Sequence, residues 1–553
     1  MKKIINVICG IFLICCATAC EDMMDTESGR IAYDDQHELN NPNDSIYSVI
    51  GVLAQLQQVA DRILIMGELR GDLMTVDNEY ASTDLQEIND ISFAADNSYA
   101  IARDFYSIIN NCNYIIARMD TSITEGQNKV MMPEYAQVKT LRAYTYWQMA
   151  LIFGRVNYFT MPLTSIGSMV PADANIGIDE LSQKLIADIS PIADARPLDY
   201  GTIDNWTSTE LFYPTKMLLG DLYLYNNMYD KAAEAYYSLI ASRNIVVSRT
   251  YANTWESATR QNLQTGNMQA YKNDVVTRQI FNSDLRATHS QMRKLTYSDK
   301  PSLLPAAQFT EWMMSRTHFH TDNGQAISRY FNGDLRGAAE MASGALTADA
   351  FGHADLAQLP AANPQEMVIT KFYNNLSGTV TDALEQRPLL SLAMVRPSTI
   401  YLRYAEAINR AGYPTTAFAV LKYGLNKNMY DTIQHRVDSN EVKRYPAYIN
   451  FQAAQYDQNI GTAARGLGLG IVWDREQYVI PADADTTDFV EKAILNEMAA
   501  ETCFEGNRFF DLLRISHHRH DHPALMAEKV AAKHADSEAM KQRLMNISAW
   551  FAR

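Results

Sequence analysis

The sequence predicts a mainly α-helical protein, a tetratricopeptide-like repeat scaffold interrupted by a long loop-rich insertion with a few short strands. Three observations predict it. Between 207 and 241, Leu219, Gly220 and Tyr223 give the L-G-x-x-Y element of a tetratricopeptide first helix, and Ala232 with Tyr236 gives the A-x-x-x-aromatic element of the second. Asn226, Asn227 and Met228 supply the turn between them. A weaker copy follows far downstream, where Tyr401, Tyr404, Ala405 and Ile408 share a helix face, Gly412 to Pro414 turn the chain, and Ala417 and Leu421 pack back. Between the copies, residues 243–395 exchange the helical period for short apolar runs, scattered prolines and turns such as Asn332-Gly333-Asp334. A break of that length in a stacked scaffold is where function is expected, because the helices hold its loops rigidly.

In chain order, residues 1–19 read as a secretory signal. Lys2 and Lys3 precede an apolar run from Ile4 to Leu13, and Ala17, Thr18 and Ala19 lead into Cys20. The run is shorter than the roughly twenty residues of a membrane span, so removal is expected, and no later stretch is expected to span. A cysteine straight after the cut resembles a lipobox, with Ala17 where leucine is usual. Acyl chains on Cys20 would then hold the protein at a bilayer, each buried methylene adding about 0.8 kcal/mol. The alternative is an ordinary signal cut near Ala19. Glu21 and Asp22 resemble the tag that sends lipoproteins to the outer face of the outer membrane, although in other lineages an acidic residue there retains them at the inner membrane. Residues 20–45 are polar, acidic and turn-rich, a flexible tether.

From residue 46 the period becomes helical, and 46–242 is expected to form the N-terminal helical part. Val52, Leu56, Val59 and Ile63 share a face of the first helix, a second helix covers about Ala100 to Met119, and a third runs from Glu134 to Phe153 and stops at Gly154. Residues 396–553 are expected to complete the scaffold. A chain of 553 residues with 47% hydrophobic and 20% charged residues is a folded one, and a formal charge of −16 without any Lys/Arg-rich run excludes nucleic acid as a natural partner. Of six cysteines, Cys9, Cys15 and Cys16 leave with the signal and Cys20 is the acylation candidate. Cys112 and Cys503 remain, either as a disulfide or as inert buried thiols. The 31 tyrosines against 19 phenylalanines suit helix packing, with a smaller share free to stack on sugar or peptide.

At the C-terminus, Glu501, Glu505, Gly506, Arg508, Asp511, Leu512 and Arg514 form an E-x-x-x-E-G-x-R-x-x-D-L-x-R run. This run resembles the terminal signature of the SusD/RagB family of nutrient-binding outer-membrane lipoproteins. Other pieces match in order: Glu68-Leu69-Arg70-Gly71-Asp72, Leu141-Arg142-Ala143-Tyr144 leading to Phe153-Gly154, the 219–237 repeat, Arg396 to Asn409, and Arg465-Gly466-Leu467-Gly468. Residue chemistry makes the signature structural: Glu505, Arg508, Asp511 and Arg514 can pair at i, i+3 spacing while Phe504, Phe509, Phe510 and Leu512 enter the core.

The resemblance implies capture of an oligosaccharide or peptide on loops after the first helices and in the insertion. It also implies delivery to a SusC-like TonB-dependent barrel in the outer membrane, with the lipid-anchored protein facing outward, and no cofactor. Mapped here, the first zone, about 77–99, holds Tyr80, Phe93, Asn97 and Tyr99. The second, about 251–331, holds Tyr251, Trp255, Tyr271, Arg278, Tyr297 and Tyr330. Trp255, among Asn253, Thr254, Glu256 and Ser257, is the most exposed candidate. His517, His518, His520 and His522 are expected to form a solvated run and not a metal site, because their spacing does not converge imidazoles. Gly466, Gly468 and Gly470 are expected to form a tight loop, since the dinucleotide register fails. Neither H-E-x-x-H nor G-x-S-x-G occurs, and no catalytic residue is assigned. The alternative, a surface glycan hydrolase or lyase, would need two carboxylates whose separation sequence does not give.

Overall fold

The computed structural model describes residues 39, 42–165, 173–248, 274–281, 289–298, 300–322, 327–337, 339, 350–353, 366–372, 389, 391–433, 435–468, 471, 473 and 478–552. The signal, Cys20 and Gly470 lie outside them, as do Tyr251, Trp255 and Tyr271.

Helix α1, Pro42–Glu68, starts inside the stretch expected to be tether. The chain is docked even earlier, because buried Leu39 donates its N–H to the Arg118 carbonyl (3.2 Å) and accepts from Asp120 (3.3 Å). One apolar residue in a polar stretch is enough to seat the backbone, and composition averages it away. Ser45–Glu68 is long and apolar enough to cross a membrane, at mean hydropathy 1.3, contrary to the expectation that nothing after the signal would be. Its apolar stripe of Val49, Val52, Leu56, Val59 and Ile65 is buried in the protein core, which explains the apolarity without a bilayer.

A short helix, α2 (Thr83–Asn89), precedes α3 (Ala102–Arg118) and α4 (Met132–Phe153), which Gly154 closes in the left-handed region at φ 71°. Then come α5 (Ile178–Ile189), α6 (Thr215–Tyr225) and α7 (Tyr229–Arg243), with Asn227 at φ 59° turning between the last two. The insertion carries α8 (Met292–Thr296) and α9 (Ala307–Ser315). Beyond it lie α10 (Pro397–Arg410), α11 (Pro414–Lys422), α12 (Ser439–Val442), α13 (Thr462–Leu467), α14 (Thr486–Glu501), α15 (Arg508–His518), α16 (Ala524–Ala531) and α17 (Ser537–Leu544). Successive helices from α3 to α7 pack against their neighbours, and α7 packs on α10, which pairs with α11 and α14. The two repeat copies are thus adjacent in space, and Asp221 of the first joins Arg403 of the second at 2.7 Å.

Among the described residues every sheet is a two-stranded antiparallel ladder. Within the insertion Thr317–Asp322 pairs with Ile327–Asn332, and Phe351–His353 with Met367–Ile369. Thr277–Ile280 pairs with Ser391–Val395, closing the insertion's two ends on each other. Met74–Val76 pairs with Leu303–Pro305, carrying the insertion back to the end of α1. The tyrosine excess is largely helix packing: Tyr146 donates to the Phe159 carbonyl (2.8 Å), Tyr401 to Ile245 (3.0 Å), Tyr404 to Tyr448 (2.9 Å) and Tyr236 to Asp221 (2.6 Å).

Candidate functional site

The ladder of Met74–Val76 with Leu303–Pro305 lays insertion residues 300–302 beside the loop that follows α1. In that loop Asp77 Oδ1 accepts the N–H groups of Glu79 (2.8 Å) and Tyr80 (3.1 Å), an Asx turn that fixes the Tyr80 backbone. Ser302 Oγ donates to the Tyr80 carbonyl at 3.0 Å, and Lys300 Nζ stands 5.5 Å from the centre of its ring. Tyr80 is 38% exposed, which is uncommon for a large aromatic held on both sides. Its pKa is raised by a hydrogen bond to Glu79 and by the charges of Glu79, Asp77 and Glu366, so it is a neutral phenol at neutral pH.

Tyr99, a second tyrosine of the first zone, lies near another contact with the insertion, made by α1. Asn97 is buried and shapes its loop: Nδ2 donates to the Asp84 carbonyl (3.0 Å) and to Glu87 (2.9 Å), while Oδ1 accepts the Tyr99 N–H (3.0 Å). Tyr99, half-buried, has its pKa raised by burial and then by the charges of Asp61 and Asp84. Asp61 in turn accepts from Ser290 Oγ (2.6 Å) and the Gln291 N–H (2.5 Å). The insertion therefore meets the N-terminal part at two places, at the loop around Tyr80 and at Asp61 of α1, whose charge acts on Tyr99.

Of the remaining candidates, Arg278 is buried: it donates to Glu210 (2.8 Å) and Ser391 (3.3 Å) and lies 4.2 Å over the Trp206 ring. Tyr297 is also buried, capping α8, so neither offers an exposed face. Tyr330 is half-buried against Phe319, and Phe93 is half-buried. Lys300, Ser302 and Glu366 were absent from the sequence-based selection, because only the tertiary fold relates them to Tyr80: the ladder carries Lys300 and Ser302 there, and Glu366, just before Met367–Ile369, acts on it by its charge. Among the described residues this surface offers stacking on a ring, hydrogen bonds and charges of both signs.

Two clusters of buried charge hold the loops in place. In the first, α1's end meets the C-terminal signature. Glu68 accepts the N–H groups of Phe504 (2.7 Å) and Gly506 (3.0 Å), and burial pushes its pKa up to about 7. Arg508 forks onto both oxygens of Asp72 (2.5 and 2.9 Å), and Arg70 donates to the carbonyls of Met66 (2.7 Å), Trp550 (2.9 Å) and Leu151 (3.1 Å) beneath the Phe509 ring. A Cβ on Gly67 would stand 1.8 Å from the Gly506 carbonyl oxygen, so only glycine permits this approach. Of the four signature residues, Arg514 and Asp511 pair at i, i+3 (2.7 Å), whereas Arg508 takes Asp72 and Glu505 takes Arg396 (2.9 Å). Long-range partners thus replace much of the expected local pairing. Arg514 also binds Glu406 (2.7 Å).

The second cluster joins the insertion to the scaffold. Asp274, Arg316, Asp334, Arg336 and Lys371 come from the insertion, and Arg396, Arg465, Glu497, Glu501 and Glu505 from the C-terminal part. Glu501 alone contacts Arg336 (3.0 Å), Arg396 (3.1 Å) and Arg465 (3.2 Å). Despite burial, those cations hold its pKa down to about 2. Gly466 lies inside α13 and not in a loop, and a Cβ there would stand 2.1 Å from Asp334 Oδ1.

The histidine run is partly packed and only partly solvated. His517 stacks on Tyr225 at 4.6 Å, His518 Nε2 lies 2.9 Å from Glu491, and His522 meets the edge of Trp550 at 5.5 Å, with His520 exposed. The run lies at the end of α15 and in the turn after it, where α16 and Trp550 cover it. No three acidic, histidine or cysteine side chains among the described residues are placed to hold a metal ion. Cys112 and Cys503 are separate buried thiols.

The SusD family profile matches residues 251–548. No curated protein matches the chain. Among solved structures, a SusD superfamily protein of Bacteroides thetaiotaomicron is 17% identical, covering 93% of this chain and 95% of its own, at TM-score 0.56. A SusD superfamily protein of Bacteroides vulgatus is 13% identical over 92% and 93%, at TM-score 0.59. Another from Bacteroides vulgatus, described as a SusD-like carbohydrate binding protein, is 15% identical over 86% and 84%, at TM-score 0.52. At these identities the likeness is one of fold.

Proposed function

The chain belongs to the SusD family, and from that premise we propose that it captures an oligosaccharide at the cell surface and delivers it to a SusC-like TonB-dependent transporter of the outer membrane. The observation that carries the reading is Tyr80, an exposed ring at the seam between scaffold and insertion, flanked by Lys300 and backed by an Asx turn. A ring of that kind stacks on the apolar face of a sugar while neighbouring charges and amides take its hydroxyls. The description of one fold neighbour as carbohydrate binding supports the same ligand class. Binding, not turnover, is the activity proposed, because the site is built from a stacking surface and a rigid support.

Cys20 supplies the lipid anchor in this reading, placing the protein on the outer face of the outer membrane. The test is a titration of oligosaccharides and peptides against wild type and Tyr80→Ala. Oligosaccharide binding without product, weakened about tenfold or more in the variant, is expected for loss of one stacking contact. Released product would favour the hydrolase or lyase, and peptide binding alone would replace the ligand class. Labelled palmitate entering wild type but not Cys20→Ala checks the anchor, and co-purification of a barrel in gentle detergent checks the partner.

A further inference from the structure

A groove of about 430 Å³ opens on the C-terminal part of the chain, within the size range of small-ligand sites. It shares no residue with the surface around Tyr80. Tyr423, at the end of α11, and Trp473 meet edge to face inside it, 6.1 Å apart. Lys427 and Asp457 form an exposed ion pair across the rim at 3.0 Å, with the exposed Asn428 beside Lys427. His435 stacks on Tyr423 at 4.7 Å and is only 3% exposed, yet its Nδ1 has no hydrogen-bond partner.

From these groups we propose that the groove is a second carbohydrate site, taking one or two sugar units of an uncharged oligosaccharide. A vicinal diol presents donors and acceptors together, which matches a lysine, a carboxylate and an amide gathered on one rim. On the exposed rim Lys427 and Asp457 cancel in charge, while the groove's second lysine, Lys422, is buried and donates to the Tyr478 carbonyl (3.4 Å), so a neutral polar ligand meets no unpaired charge at the rim. Half-buried Tyr423 gives the C–H face of a sugar ring something to rest on, and buried His435 and Trp473 pack against its ring and hold it in place. The ligand class rests on the carbohydrate reading of the protein, whereas the groove stands on its own residues.

The test uses the full mature chain and three neutral probes, maltohexaose, xylohexaose and mannohexaose, followed by calorimetry and by ligand-observed NMR. Wild type, Tyr80→Ala and the double variant Asn428→Ala/Asp457→Ala are compared, with a thermal melt confirming that each is folded. The altered groove residues are exposed and belong to no buried network. The expected result is at least one probe that still binds Tyr80→Ala and whose residual binding falls about tenfold when Asn428→Ala/Asp457→Ala is added. If every probe that binds wild type is abolished by Tyr80→Ala, the second site is overturned and the first is left standing. Residual binding unchanged by the groove variant also overturns it. No binding of any probe to wild type overturns the carbohydrate class for both sites.

Discussion

Arg70 and Arg508 meet at one junction and are held differently. Arg70 gives its hydrogen bonds to the backbone carbonyls of Met66, Leu151 and Trp550, and burial lowers its pKa to about 9. Arg508 faces a carboxylate, Asp72, with paired short bonds. Removing one member of such a pair leaves the other charge buried alone, so Asp72→Ala is expected to destabilise the protein by about 3–5 kcal/mol in denaturant unfolding. A loss below about 1 kcal/mol would show that water relieves Arg508 instead. Both motifs were visible in the sequence as separate stretches, Glu68 to Asp72 and Glu501 to Arg514. What the sequence did not reveal is that they are two halves of one contact, because pairing across the whole chain leaves no periodic trace. Tyr80 entered through the family resemblance, which points to the loops after the first helices, and it is indeed exposed in one. Arg278 and Tyr297 entered the same way, and only tertiary packing separates the buried from the exposed.

Helices were the most readable elements, since a 3.6-residue stripe persists over several turns. The helix expected from Glu134 to Phe153 forms over Met132–Phe153, with its Gly154 stop in place. At the crossing of α6 and α7 the tetratricopeptide glycine has a measurable role. A Cβ on Gly220 would lie 2.4 Å from the Tyr236 ring, whose hydroxyl is already fixed on Asp221. Gly220→Ala must therefore push the two helices apart, and about 1–3 kcal/mol of destabilisation is expected by thermal or chemical unfolding, although alanine is the better helix former. A stabilised Gly220→Ala would mean that the ring yields without loss. The histidine run was only half legible, for the opposite reason. Four polar side chains in six residues look solvated, but the turn after α15 is roofed by Trp550, which no local pattern announces.

At the scale of the whole molecule, the charge cluster around Glu501 ties stability to acid. Glu501 and Glu491 are held down to about 2 from 4.5, and Asp334 to about 2 from 3.8. A carboxyl whose folded pKa is depressed contributes stability that is complete above its unfolded value and disappears as pH falls to the folded one. Stability is therefore expected to fall from about pH 4.5 toward pH 2. Glu501→Gln, weaker than wild type at pH 7, should converge with it near pH 2, as melting curves across that range would show. Curves that stay parallel would place the acid sensitivity elsewhere. The division of that cluster has one more consequence. Its insertion share is three cations and two anions, and its C-terminal share two cations and three anions, so neither balances alone. Each share leaves a buried charge uncompensated until the other is in place, so the insertion and the C-terminal helices complete this network only together.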